Sequence, residues 1–212
     1  HRSDRGIVGG RSVGGLLIAL AASAGWATPP SHIVIVVEEN RAITQIIGSA
    51  QAPYINSLAA GGLLFTNYYA LTHPSQPNYI HMFSGASQGV TTDAVPPPGI
   101  PWSTPNLGAE LMAAGRSFSG YFEGLAAVGA STGSLGYRPQ HNPVVYWQAT
   151  PQGPNQLPPT MNQPFTNFPS NYDLLPTVSL IAPDVYHDIH DGTIAEADAW
   201  RRDNLDGYAR WA

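Results

Sequence analysis

The chain has 212 residues, 43% of them hydrophobic and only 11% charged, which is enough to bury one sizeable core and makes a single domain the default. All nine basic side chains are arginine, against fourteen acids, for a formal net charge of −5, so there is no basic footprint for a nucleic-acid backbone. Cysteine is absent, which excludes disulfide scaffolds, thiolate metal sites and cysteine nucleophiles and leaves oxygen and imidazole as the available metal ligands.

At the N-terminus Arg2, Arg5 and Arg11 precede an apolar stretch over residues 13–24, followed by Gly25-Trp26-Ala27. A basic start, a short apolar run and small residues before a cleavage point predict an export signal over residues 1–27, with a secreted or periplasmic domain over residues 28–212. The run is about a dozen residues, short of the roughly twenty that cross a bilayer, so no stable membrane anchor is expected.

The β-branched run Ile33-Val34-Ile35-Val36-Val37 reads as a strand covered on both faces of a parallel sheet. It ends in Glu38-Glu39-Asn40, and open α/β sheets bind their ligands just past the C-terminal ends of strands. Residues 53–60 predict a helix that Gly61-Gly62 stops, and residues 63–69 (LLFTNYY) a second strand. In the following Thr72-His73-Pro74-Ser75-Gln76-Pro77-Asn78, a turn opens a helix with Pro77 in its first turn. Residues 106–114 predict a helix stopped by Gly115, and residues 117–123 a strand. Residues 137–172 are dense in Pro, Asn and Gln without a period, which reads as a long surface excursion and a candidate substrate lid. Residues 177–182 (TVSLIA) return as a buried strand, and Thr193 caps a last helix with Glu196 in its first turn, running to about Trp211. The expected fold is therefore α/β, a mostly parallel sheet flanked by helices.

Three clusters, residues 38–40, 72–78 and 184–191, each follow an expected strand, so the fold brings them to one sheet edge. Cleaving a phosphate ester needs a nucleophile, a Lewis acid and fixed donors for the phosphoryl charge. Ser75 is the candidate nucleophile, because a hydroxyl at a helix start meets free backbone N–H groups that can hold an anion. Glu39 offers the hard oxygen that a divalent ion prefers, and Asn78, three residues after Ser75, can donate its amide to a phosphoryl oxygen. Asp184, His187, Asp188, His190 and Asp191 put five ionisable groups within eight residues, a density that a cation, a substrate or solvent must offset. His141, in Gln140-His141-Asn142-Pro143, can line the pocket.

The segments HIVIVVEEN, APYINSLAAGGLLFTNYYALTHPSQPNY, NLGAEL, RPQHNP and HDIHDG together resemble the bacterial phosphoesterase family that includes secreted acid phosphatases and phospholipase C-like enzymes, within the alkaline-phosphatase superfamily. The resemblance implies an alkaline-phosphatase-like core and a metal-dependent phosphomonoesterase. Ser75 would be the nucleophile and His190 the leaving-group acid, with Asn40, Asn78 and His141 on the substrate. A divalent ion of unspecified identity would be held by Glu39, Ser75, Asp184 and either Asp188 or the adjacent His187, with the choice between those two open. A small phosphorylated molecule or a phospholipid head group is the expected substrate. Family members continue into a strand ending in an acidic Trp-Asp-Glu-Asp type motif, so the resemblance also implies an incomplete core and a fragment of low activity. A phospholipase C-like phosphodiesterase and a non-catalytic secreted binding protein are the competing readings.

Overall fold

Four parallel strands in the order β1-β4-β2-β3 carry the fold in the computed structural model, which describes residues 29–212. The expected export signal lies outside the described residues. The strands are β1 (Ile33–Val36), β2 (Phe118–Phe122), β3 (Asn162–Pro164) and β4 (Val178–Ala182). The helices are α1 (Ile43–Ile46), α2 (Pro53–Gly61), α3 (Ser75–Ser84), α4 (Leu107–Ala113) and α5 (Ile194–Trp211). The α/β expectation holds, and Ser31–Ala212 form one body. β4 inserts between β1 and β2, with Ile33 opposite Val178 and Phe118 opposite the same Val178.

Strand side chains alternate between the two faces of the sheet, and each face has its own helical cover. Phe118 and Phe122 of β2, with Val178, Leu180 and Ala182 of β4, pack against Tyr79, Ile80 and Phe83 of α3 and against Trp102, Tyr146, Trp147 and Leu157. Tyr121 and Ile181 point the other way, to Trp200 and Leu205 of α5. All five residues of β4 are buried, as expected for a central strand. Gly120 has to lack a side chain, because a Cβ there would meet the Phe122 ring at 2.5 Å. Gly85 stops α3 in the left-handed conformation at φ 72°.

Three sequence expectations need correction. β1 sits at one end of the sheet and is only half-buried, with Ile33 exposed, rather than covered on both faces. Residues 63–69 form no strand, and Leu63 is 88% and Phe65 74% exposed. Their β propensity has no partner strand among the described residues, and strand formation depends on a neighbour. Residues 137–172 are not a surface excursion throughout: residues 141–147 are buried, although residues 150–154 are exposed. Tyr146, Trp147 and Leu157 are core residues, short 3-10 turns run over Pro139–His141 and Pro143–Tyr146, and β3 itself lies in this region. The buried Asn142 and Asn162 side chains bond to each other at 2.9 Å and to Tyr137 Oη and the Ala130 carbonyl. Pro- and Asn-rich composition here serves buried turns.

Candidate active site

Glu39 follows the end of β1, where its N–H donates to the Asp188 carbonyl at 2.8 Å. Ser75 is the first residue of α3, and its Oγ donates to Glu39 Oε2 at 2.8 Å. Four residues on, and so on the same helix face, Tyr79 stacks on His141 with ring centroids 4.9 Å apart and planes 10° from parallel. His141 Nδ1 lies 2.9 Å from Asp188 Oδ2, while its Nε2 is 3.7 Å from Glu39 Oε1. Asp188 is fully buried, and its Oδ1 accepts the His190 N–H at 2.7 Å. The His190 ring is 5.9 Å from that of His141. Burial, together with the negative charge of Glu39 and Asp188, pushes the Tyr79 phenol well above its ordinary value, so it carries its proton at any working pH.

Ser75 and Glu39 open onto a groove of about 1020 Å³ that also takes in Asn40, Asn78, Tyr79 and His81. Its lining is largely apolar and includes Leu58, Tyr68, Tyr69, Leu71 and Met82. Asn40 holds a left-handed backbone at φ 53°, which asparagine tolerates better than most residues. Asn78 is not free. Its Oδ1 accepts from the N–H groups of Leu71 and Thr72, and its Nδ2 donates to the Thr72 and Pro74 carbonyls, so the amide holds the loop in front of Ser75. The backbone anion cradle is smaller than expected, because the Gln76 N–H donates to Asp93 Oδ1 at 2.9 Å and Pro77 has none. Behind Glu39, the buried Arg201 of α5 pairs with Glu38. Burial lowers the Arg201 pKa to about 10, and the adjacent carboxylate favours its charged form.

The five side chains named as candidates for one ion fall into two groups. Glu39, Ser75 and Asp188 meet around His141, whereas Asp184 and His187 turn to Glu123, the residue after β2. His187 Nδ1 lies 3.0 and 3.1 Å from the Glu123 oxygens and 3.2 Å from Asp184 Oδ1. Among the described residues, Glu123, Asp184 and His187 are the Glu/Asp/His trio whose ligand atoms converge within 4.8 Å. Glu123 and Tyr79 were missed in the sequence reading. Glu123 stands immediately past a strand, as Glu39 and Asp184 nearly do, and that shared position was the available signal. Tyr79 offered only its spacing from Ser75.

The Phosphoesterase family matches residues 49–212. The chain belongs to this family. That match includes Ser75, Asn78, His141 and the whole 184–191 turn of the phosphoesterase, while Glu39 and Asn40 precede it. A phosphatidylinositol-3-phosphatase of Mycobacterium tuberculosis is 45% identical over 198 residues, 92% of this chain and 62% of that protein. A probable acid phosphatase of Kluyveromyces lactis is 31% identical, covering 70% of this chain and 37% of its own length. An acid phosphatase of Aspergillus fumigatus is 30% identical, covering 68% and 34%. The chain thus spans less than two thirds of the curated relatives it matches. No solved structure gives a significant match. No helix among the described residues is long and apolar enough to cross a membrane.

Proposed function

We propose that the protein hydrolyses phosphate monoesters with Ser75 as nucleophile. The observation that carries this reading is the 2.8 Å hydrogen bond from Ser75 Oγ to Glu39 Oε2, a hydroxyl paired with a base at a helix start and open to a groove. Ser75 Oγ attacks phosphorus in line, its proton passes to Glu39, and the bond from phosphorus to the leaving oxygen breaks. His190 protonates that oxygen, and His141, steadied by Asp188 and the Tyr79 ring, donates to a phosphoryl oxygen. Asn40 takes a second phosphoryl oxygen. Asn78 contributes by holding residues 71–74 in place. Water then attacks the phosphoserine: its oxygen bonds phosphorus as the bond from phosphorus to Ser75 Oγ breaks, Glu39 returns its proton to Oγ, and the proton lost by the water restores His190.

The family resemblance implies a divalent ion. Glu39 and Ser75 fit as two hard oxygen donors beside the groove, and a bound ion there would lower the hydroxyl pKa and spread phosphoryl charge. Asp188 Oδ1 accepts the His190 N–H, while its buried Oδ2 makes no hydrogen bond, so it could contribute a third oxygen beside Glu39.

In the full-length gene product, Ser75→Ala should abolish hydrolysis of p-nitrophenyl phosphate with an unchanged circular dichroism spectrum, and acid-quenched wild type should carry phosphate on Ser75. Retention of most activity by the variant would move the nucleophile elsewhere. The apolar groove wall and the name of the Mycobacterium tuberculosis relative favour a phosphorylated lipid head group as substrate. Faster phosphate release from phosphatidylinositol 3-phosphate vesicles than from p-nitrophenyl phosphate supports it. The export reading rests on Arg2, Arg5 and Arg11 ahead of the apolar 13–24 stretch.

A further inference from the structure

Three carboxylate oxygens converge on one imidazole nitrogen at the ends of β2 and β4. Glu123 Oε1 and Oε2 and Asp184 Oδ1 lie 3.0 to 3.2 Å from His187 Nδ1. A ring nitrogen carries at most one proton, and one proton makes one good hydrogen bond. Two carboxylates from different strands are therefore held together by less charge than they bring. One ligand atom from each of the three side chains lies within 4.8 Å of the others, close enough for a single ion to reach all three.

The surroundings resemble the outer support of a metal centre. Trp200 Nε1 donates to Glu123 Oε1 at 2.9 Å and the Asp184 N–H to Glu123 Oε2 at 3.0 Å, so both Glu123 oxygens are oriented by groups outside the trio's side chains. The Asp184 carboxylate accepts from the Tyr186 N–H, and the Trp200 ring stacks over His187 at 6.0 Å. Gly136 leaves space against Asp184 that a Cβ would fill, at 2.5 Å from Oδ2. The groove that takes in Ser75 and Glu39 is not lined by Glu123, Asp184 or His187.

We infer that Glu123, Asp184 and His187 form a second cation site, separate from the Ser75 centre, for a borderline dication such as Mn²⁺ or Zn²⁺. Two carboxylates and an imidazole suit such ions better than Ca²⁺ or Mg²⁺, which prefer oxygen throughout. The ion would join the ends of β2 and β4 and, through Trp200, the first half of α5. It would thereby fix the 184–191 turn that presents Asp188 and His190 to the Ser75 centre. This inference stands on Glu123, Asp184 and His187 alone, and binding rather than turnover reads it out, so it can fail independently of the proposed reaction.

The test is Mn²⁺ titration of the metal-stripped full-length gene product by calorimetry, with wild type, Glu123→Gln, His187→Gln and Glu39→Gln compared. Expected is a Mn²⁺ site that survives Glu39→Gln and is lost, or weakened at least tenfold, in Glu123→Gln and His187→Gln, whether or not a further, Glu39-dependent ion is also bound. Should those two variants fail to fold, pulsed electron paramagnetic resonance of Mn²⁺ on Glu39→Gln must show nitrogen coupling from one bound imidazole. Mn²⁺ binding that is unaffected by Glu123→Gln and His187→Gln, or that vanishes in Glu39→Gln, or that shows no imidazole coupling, overturns the site and leaves His187 as a hydrogen-bonding bridge between two carboxylates.

Discussion

Asp188 shows how one buried carboxylate brings Glu39, His141 and His190 together. Its backbone carbonyl accepts the Glu39 N–H, one side-chain oxygen accepts the His190 N–H and the other lies 2.9 Å from His141. Asp188→Asn keeps the shape but presents an amide to His141 in place of a charge, leaving the ring less firmly oriented. We expect kcat for p-nitrophenyl phosphate to fall by about 10- to 100-fold, the range seen when an orienting partner is lost, with little change in KM. An equal fall in kcat/KM through KM alone would show that Asp188 serves binding instead. That Ser75 and Glu39 meet was legible in the sequence, because a helix start and the end of a parallel strand lie at one edge of such a sheet. Which way Asp184, His187 and Asp188 face was not legible. It is decided by the 183–192 turn, where the buried Ile189 adopts a left-handed φ of 75°. A β-branched residue rarely takes that conformation, so no sequence pattern announces it, and the surrounding packing must impose it.

At the scale of elements, α5 does more than cover the sheet. Thr193 and Glu196 form a reciprocal capping box at its start, with Thr193 Oγ1 accepting the Glu196 N–H and the Glu196 carboxylate accepting the Thr193 N–H. Thr193→Ala should cost about 1 kcal/mol in urea denaturation at neutral pH. The Thr193 hydrogen bonds hold the Glu196 carboxyl below its ordinary value. A carboxylate whose folded pKa is depressed stabilises the fold above its unfolded pKa and loses that contribution as pH falls through the folded pKa. The gap between wild type and variant should therefore narrow below about pH 4, near the ordinary Glu pKa, and a gap that stays constant would mean that Glu196 adds nothing to the cap. Further along α5, the buried Asp198 accepts the Tyr54 and Ile55 N–H groups at 3.1 and 2.8 Å, capping α2 from another element. Asp198→Ala strands both donors and should cost about 1–3 kcal/mol, with faster amide exchange confined first to α2. The α5 cap could be read from Thr193 and Glu196 because capping is local. Residues 63–69 could not, since a strand needs a neighbour that lies elsewhere in the chain.

For the molecule as a whole, the decisive feature is that a segment with the composition of a loop fills one side of the core. Trp147 is fully buried, donates its Nε1 to the Thr104 carbonyl at 2.9 Å and packs edge-on to Trp102 at 4.8 Å and to Phe83 of α3 at 5.5 Å. Tyr146 extends the same layer towards α3, its hydroxyl 2.8 Å from the Gln76 amide next to Ser75 and donating to the Pro139 carbonyl. The sheet supplies strand ends for Glu39, Glu123 and Asp184, but the position of α3 against that sheet depends on this aromatic layer. Removing the indole should therefore act on stability and on the Ser75 centre together, unlike the removal of a lid, which would change turnover alone. Trp147→Ala is expected to cost about 3–5 kcal/mol, as for other large-to-small core substitutions. In the wild type, amides of residues 141–148 should exchange as slowly as those of β4. Rapid exchange across that stretch, with full stability in the variant, would return residues 137–172 to the status of a mobile surface loop and leave α3 without its support on that side.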